Sequence, residues 1–211
     1  MKIIKSYWLE IIFTIFVLIV IFLSITNSVH DIEIVNEKTM PQREEKIGNY
    51  DFVNYIERIK QLDNCTVVIA VKDIQGFCTN QEMADALKGL GFGQADILLD
   101  KSYHSFIGIY SNGEAVYQCV GGDEAITFGQ MVGSQYIYVK SATYLAGNMA
   151  EIYVEDVSYA VNNRGFNIVV FDNKEKELID SVAYDVYVED IPIYRRENNE
   201  IIYAESTVKE Q

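Results

Sequence analysis

The segment 162-NNRGFNIVVFDNKEKELIDSVAYD-185 leaves the chain few choices. Asn162, Asn163 and Gly165 tolerate positive φ, so the segment opens on turn chemistry. Residues 166–171 (FNIVVF) form an almost unbroken apolar run, long enough for one buried strand. Residues 172–177 are a second polar turn, and residues 178–184 (LIDSVAY) return as a roughly alternating strand. The pattern predicts a hairpin whose first strand is buried on both faces, with Arg164 at its entry. An arginine there can lay its stem on apolar surface and keep its head in water. Its planar fork suits an anion or vicinal hydroxyls. It can equally cap the turn, or pair with Asp172 or Asp185.

The 211 residues fit one domain plus appendages. Fifteen tyrosines against one tryptophan point to a β-rich body. Residues 1–30 stand apart: Lys2 and Lys5 precede a fifteen-residue apolar run over 11–25. The run is longer than a signal h-region and short of a span of about 20 residues. It reads as an uncleaved signal anchor with the body outside, making a single-pass membrane protein. A cleaved signal peptide and a secreted body are the alternative. Residues 31–49 are charged and aperiodic, a tether.

From Asp51 the pattern turns helical, with Phe52, Tyr55, Ile56, Ile59 and Leu62 on one face. Residues 65–71 (CTVVIAV) read as a buried strand that leaves through a loop at Lys72-Asp73. Thr79 and Glu82 have capping-box spacing before a helix presenting Met83, Ala86, Leu87 and Leu90, and Gly91 ends it. Strands follow at 105–110 and 114–120 around Ser111-Asn112-Gly113, then at 136–141, and a hairpin turns at Glu155-Asp156. Residues 191–211 are a tail, either a loose hairpin over 197–200 or a disordered end.

A net charge of −14 argues against nucleic acid and against binding anionic lipid through a basic face. Cys65, Cys78 and Cys119 are too few for a disulfide framework, though one bridge is open to them. No CxxC or Cys/His cluster marks a metal site, and no cofactor is called for.

Four blocks together resemble one family. RGFNIVVFD with LIDSVAYD resembles the signature hairpin of the ILEI/PANDER domain. DFVNYIERIKQLDNCTVVIAVKD with QEMADALKGLGF resembles that family's helix, strand, acidic loop and second helix. SYHSFIGIYSNG resembles the strand that follows, and YVKSATYLAGNMAEIYVED the opening strands. The likeness covers residues 50–190, with the two halves in circularly permuted order and residues 121–133 as the new connection. Permutation costs little where the original termini lie close together.

The resemblance implies an α+β fold: two packed antiparallel β-sheets with flanking helices, after the N-terminal transmembrane anchor. It implies a non-catalytic module that binds carbohydrate, or a cytokine-like protein partner. The carbohydrate contacts it implies are Arg164 of the RG turn, Asp73 of the VKD loop, and the residues before the SFIG strand. Those read Lys101, Ser102, Tyr103 and His104 here, so Tyr103 or His104 would stand where the family has a stacking Trp. The bland readings are a turn residue for Asp73, a solvated charge for Lys101 and a structural histidine for His104. A third function, a glycan hydrolase, would draw a carboxylate pair from Asp73, Asp180 and Asp185.

Overall fold

The computed structural model describes residues 47–197 and 199–204. The anchor expected over 1–30 and the tether expected over 31–49 lie outside those residues up to residue 46, as does the end of the tail. Among the described residues no helix is long and apolar enough to cross a membrane.

The body is mostly β, with two helices and a curled sheet. Its centre is β1 (Cys65–Lys72), a run rich in Val and Ile that suits a pleated, doubly covered position. On one side β1 pairs antiparallel with β9 (Gly165–Asp172) over its whole length, from Cys65↔Asp172 to Lys72↔Gly165. The hairpin continues from β9 into β10 (Leu178–Tyr184). All seven residues of β10 are buried, so its partial alternation belongs to a strand covered on both faces.

On its other side β1 pairs antiparallel with β3 (Tyr103–Ser111), which forms a hairpin with β4 (Glu114–Gly121). Beyond Ala70 the two strands part. There β1 meets β6 (Gln135–Ala142) through a parallel pair, Lys72↔Ala142. Ser141 sits in the fork, where its hydroxyl donates to Val71 O at 2.6 Å and accepts from Phe106 N at 3.0 Å. The hydroxyl thus supplies a partner to Val71 O and to Phe106 N where the strands diverge, as buried backbone groups require. The short β2 (Ile74–Gln75) pairs with the start of β3. β6 is flanked by β5 (Ile126–Val132) and β7 (Met149–Val154), and β8 (Val157–Ser158) closes that edge.

Where the resemblance implies two sheets, hydrogen bonding therefore joins the strands into one curled sheet that branches at β1. Residues 121–133, read from sequence as a connection, contain β5.

Two buried layers result. Val67, Ile69 and Val71 of β1 face α1 (Phe52–Lys60) and α2 (Gln81–Gly89), together with Phe92, Phe106 and Phe166. Val68 and Ala70 face the other way, against Phe128, Val139, Ile152 and Phe171. Asp51 caps α1 by accepting from Asn54 N at 2.9 Å. The cap of α2 is Asn80, not Thr79 as the spacing predicts, and its side chain accepts from Met83 N. The Thr79 hydroxyl is taken by Gly76 O and Leu98 O instead.

The tail residues form a further hairpin, β11 (Ile193–Glu197) and β12 (Glu200–Ala204), paired onto β10. Arg195 of β11 is 1% exposed and pairs with the fully buried Asp180 of β10. Asp180 also accepts from Tyr55 Oη at 3.0 Å and Ser181 N at 2.8 Å. Arg195 Nη2 reaches Gly48 O at 2.8 Å and so ties the residues before α1 to the tail hairpin.

Candidate functional site

One end of the β1–β9 pair gathers most of the chain's unusual chemistry. The last aligned pair is Lys72↔Gly165, so Asp73 and Arg164 leave the two strands side by side. Both turns use left-handed backbone. Asp73 has φ +53°, Asn162 φ +57° and Gly165 φ +95°. A Cβ on Gly165 would lie 1.8 Å from Tyr184 O, so only glycine fits that crossing.

The turn at 162–165 is held from three directions. Asn162 Oδ1 accepts from Ala150 N at 3.0 Å, and Asn162 O accepts from Lys72 Nζ at 2.8 Å. The fully buried Asn167 donates to Asn163 O at 2.7 Å and accepts from Asn163 N at 3.0 Å. The turn is not a hairpin bend: the next strand, β9, pairs with β1 and β10 rather than with β8. Of the two acidic partners open to Arg164, the structure has Asp185. Nε and Nη2 of Arg164 donate to the two carboxylate oxygens, each at 2.9 Å. Asp185 also accepts from Tyr187 N at 3.2 Å, and the guanidinium lies 4.4 Å from the centre of the Tyr187 ring. Such a fork on a nearly buried carboxylate, with an aromatic face beneath, fixes the arginine's direction. Its side chain remains 41% exposed, and Nη1 has no acceptor among the described residues.

The hydrogen bonds to Asp185, with weaker help from the nearby Tyr187 and Asp73, raise the Arg164 pKa above its ordinary value. Cys78 and Tyr187 are neighbours under this corner, and burial pushes both up. The thiol is therefore held neutral, away from nucleophile character. All three cysteines are free.

Asp73 faces the start of a one-turn 3-10 segment at Tyr144–Ala146. Its Oδ1 accepts from Tyr144 N at 3.3 Å, and its backbone N–H donates to Ala142 O. The segment closes on itself, with Ala146 N and Asn148 N both donating to Thr143 O.

The expected residues divide. Asp73 and Arg164 share the corner, and Tyr103 lies near enough to raise Tyr187 further. Lys101 is exposed on the loop before β3, where its carbonyl accepts from Gln75 Nε2. His104 is 6% exposed and turned inward, with Nε2 2.7 Å from Asp100 Oδ1 and Nδ1 3.2 Å from Gly121 O. It fastens the loop before β3 to the end of β4. Asp180 lies away from any surface, beneath Tyr55 and paired with Arg195.

Sequence reasoning missed Asn167, Tyr187 and Tyr144. Asn167 carried one available signal, a polar side chain inside an apolar run. Among the described residues no group of His, Cys, Asp and Glu could hold a metal ion. No family model, curated protein or solved structure matches the chain.

Proposed function

We propose that the chain is a membrane-anchored extracellular binding module of the ILEI/PANDER kind, permuted, without catalytic activity. It recognises carbohydrate of the cell surface or envelope at the Asp73–Arg164 corner. The observation that carries this reading is the juxtaposition of those two residues at the end of the β1–β9 pair. A hydroxyl-rich ligand needs convergent donors and acceptors on a rigid frame. Arg164 Nη1 offers a donor and Asp73 Oδ2 an acceptor, each without a partner among the described residues. The backbone around them is over-determined, with positive φ at the non-glycine residues Asp73 and Asn162, which is where strain accompanies function.

A carboxylate-based hydrolase fits less well. That chemistry needs two carboxyls across a cleft. Asp180 is spent on Arg195 and Tyr55, and Asp185 on Arg164. A protein-interaction domain is the second reading. It draws on Ile201 and Tyr203, 51% and 61% exposed on the edge strand β12.

The test is binding of the full-length chain, in a non-glycosidic detergent, to a broad glycan panel, alongside Asp73→Asn. The expected result is a bound glycan whose affinity collapses in the variant while circular dichroism stays unchanged. A folded wild type that holds no glycan would transfer the reading to a protein partner.

A further inference from the structure

Tyr144 and Leu145 are the two most exposed large apolar side chains in the described body, at 64% and 65%. They do not sit on a loose loop. Their 3-10 turn is closed by two hydrogen bonds to Thr143 O and tied to the Asp73 carboxylate through Tyr144 N–H. A rigid turn that holds an aromatic ring out into water beside an acceptor loses contact area it could have buried. That cost is offset if the ring has a partner from outside.

The charges around the ring limit what the partner can be. Four charged groups meet here, Lys72 and Arg164 against Asp73 and Asp185, two of each sign and net zero. Both cations are already engaged, Lys72 by Asn162 O and Arg164 by the Asp185 fork. The remaining groups, Cys78 and Tyr187, are kept neutral by burial. The whole chain carries a net charge of −14. A uronate, sialate or phosphorylated sugar would approach a repelling field and meet two cations already balanced by Asp73 and Asp185.

Resting on the carbohydrate reading above, we infer that the ligand is a neutral hexopyranose, that Tyr144 is its stacking platform, and that Asp73 and Arg164 take two neighbouring hydroxyls. Tyr144 supplies the apolar face and so discriminates between sugars that present a patch of C–H groups and those that do not. This places the stacking residue on the turn after β6, not on the loop before β3 where Tyr103 and His104 lie.

The experiment titrates the full-length chain, in non-glycosidic detergent, with neutral hexosides and their uronic-acid counterparts, using wild type, Tyr144→Ala, Tyr144→Phe and Asp73→Asn. Loss of the ring weakens binding roughly tenfold, as for an aromatic contact of about 1.4 kcal/mol, whereas Tyr144→Phe stays within about twofold. The acidic sugars bind at least about tenfold more weakly than the neutral ones. Tyr144→Ala binding like wild type, while Asp73→Asn fails, would overturn the platform and leave the carbohydrate reading intact. A preference for the uronates would overturn the ligand class. A folded wild type that binds no sugar would remove the carbohydrate reading and this inference together.

Discussion

Asp73 keeps a left-handed backbone, φ +53°, at the mouth of β1, where glycine would sit more comfortably. Holding a non-glycine residue there costs about 1 kcal/mol. The bond from Tyr144 N to its carboxylate returns about as much. Asp73→Gly is therefore expected to leave the free energy of urea unfolding within about 1 kcal/mol of wild type while abolishing ligand binding. A large loss of stability would mark Asp73 as a turn residue and nothing more. Gly165 behaves oppositely: the Tyr184 carbonyl blocks any Cβ, and φ is +95°. Gly165→Ala is expected to cost more than about 3 kcal/mol, read by chemical denaturation. Arg164→Ala strands the nearly buried Asp185 and is expected to cost about 1–3 kcal/mol besides any effect on binding. Asparagine turns and the Arg-Gly pair were legible in the sequence because their chemistry is local. The partner of Arg164 was legible only as a choice between two acids, since deciding it requires knowing that the chain after β10 turns back beside the start of β9.

At the scale of elements, the tail hairpin was one of two readings open in the sequence, and the structure has it. Residues 191–204 carry two short apolar runs around a polar turn, and nothing local distinguishes a hairpin from a loose end. What makes β11 part of the fold is Arg195, whose guanidinium meets the buried Asp180 across the strand pair. Burial pushes the Asp180 carboxyl up, and Arg195, Tyr55 and Ser181 pull it back. A buried pair broken on one side leaves an uncompensated charge, so Arg195→Met alone is expected to cost about 3–5 kcal/mol. Asp180→Leu combined with Arg195→Met is expected to recover most of that, because neither charge then remains to be buried. A double mutant as unstable as the single one would show that Tyr55 and Gly48, not the ion pair, hold the hairpin. By contrast β1, β9 and both helices were readable, because long apolar runs and a 3.6-residue period survive any tertiary arrangement. The exact start of α2 was not: Thr79 and Asn80 are both good caps, and the 3-10 turn at Gly76–Cys78 claims the threonine.

For the molecule as a whole, β1 decides the layering, because both its faces are covered and its neighbour changes from β3 to β6 at Ser141. Periodicity can show that a strand is doubly buried, but not that its sheet branches. Ser141→Ala should therefore destabilise by about 1–3 kcal/mol, since it leaves Val71 O and Phe106 N buried without their shared partner. Acid stability follows from the loop before β3. The hydrogen bond from His104, with that from Ser102 N, holds the Asp100 carboxyl below its ordinary range. A carboxyl whose folded pKa is depressed stabilises the protein above its unfolded pKa and loses that contribution as pH falls through the folded one. The urea midpoint is thus expected to drop below about pH 4, and to drop less in Asp100→Asn.

The measurement that bears most directly on the account is amide hydrogen exchange across the full-length chain, with and without a saturating neutral glycan. Slowed exchange is expected at residues 142–148 and 162–165, the two turns that frame Asp73 and Arg164, with no change along β11 and β12. Protection confined to the β11–β12 edge, with those turns untouched, would contradict it.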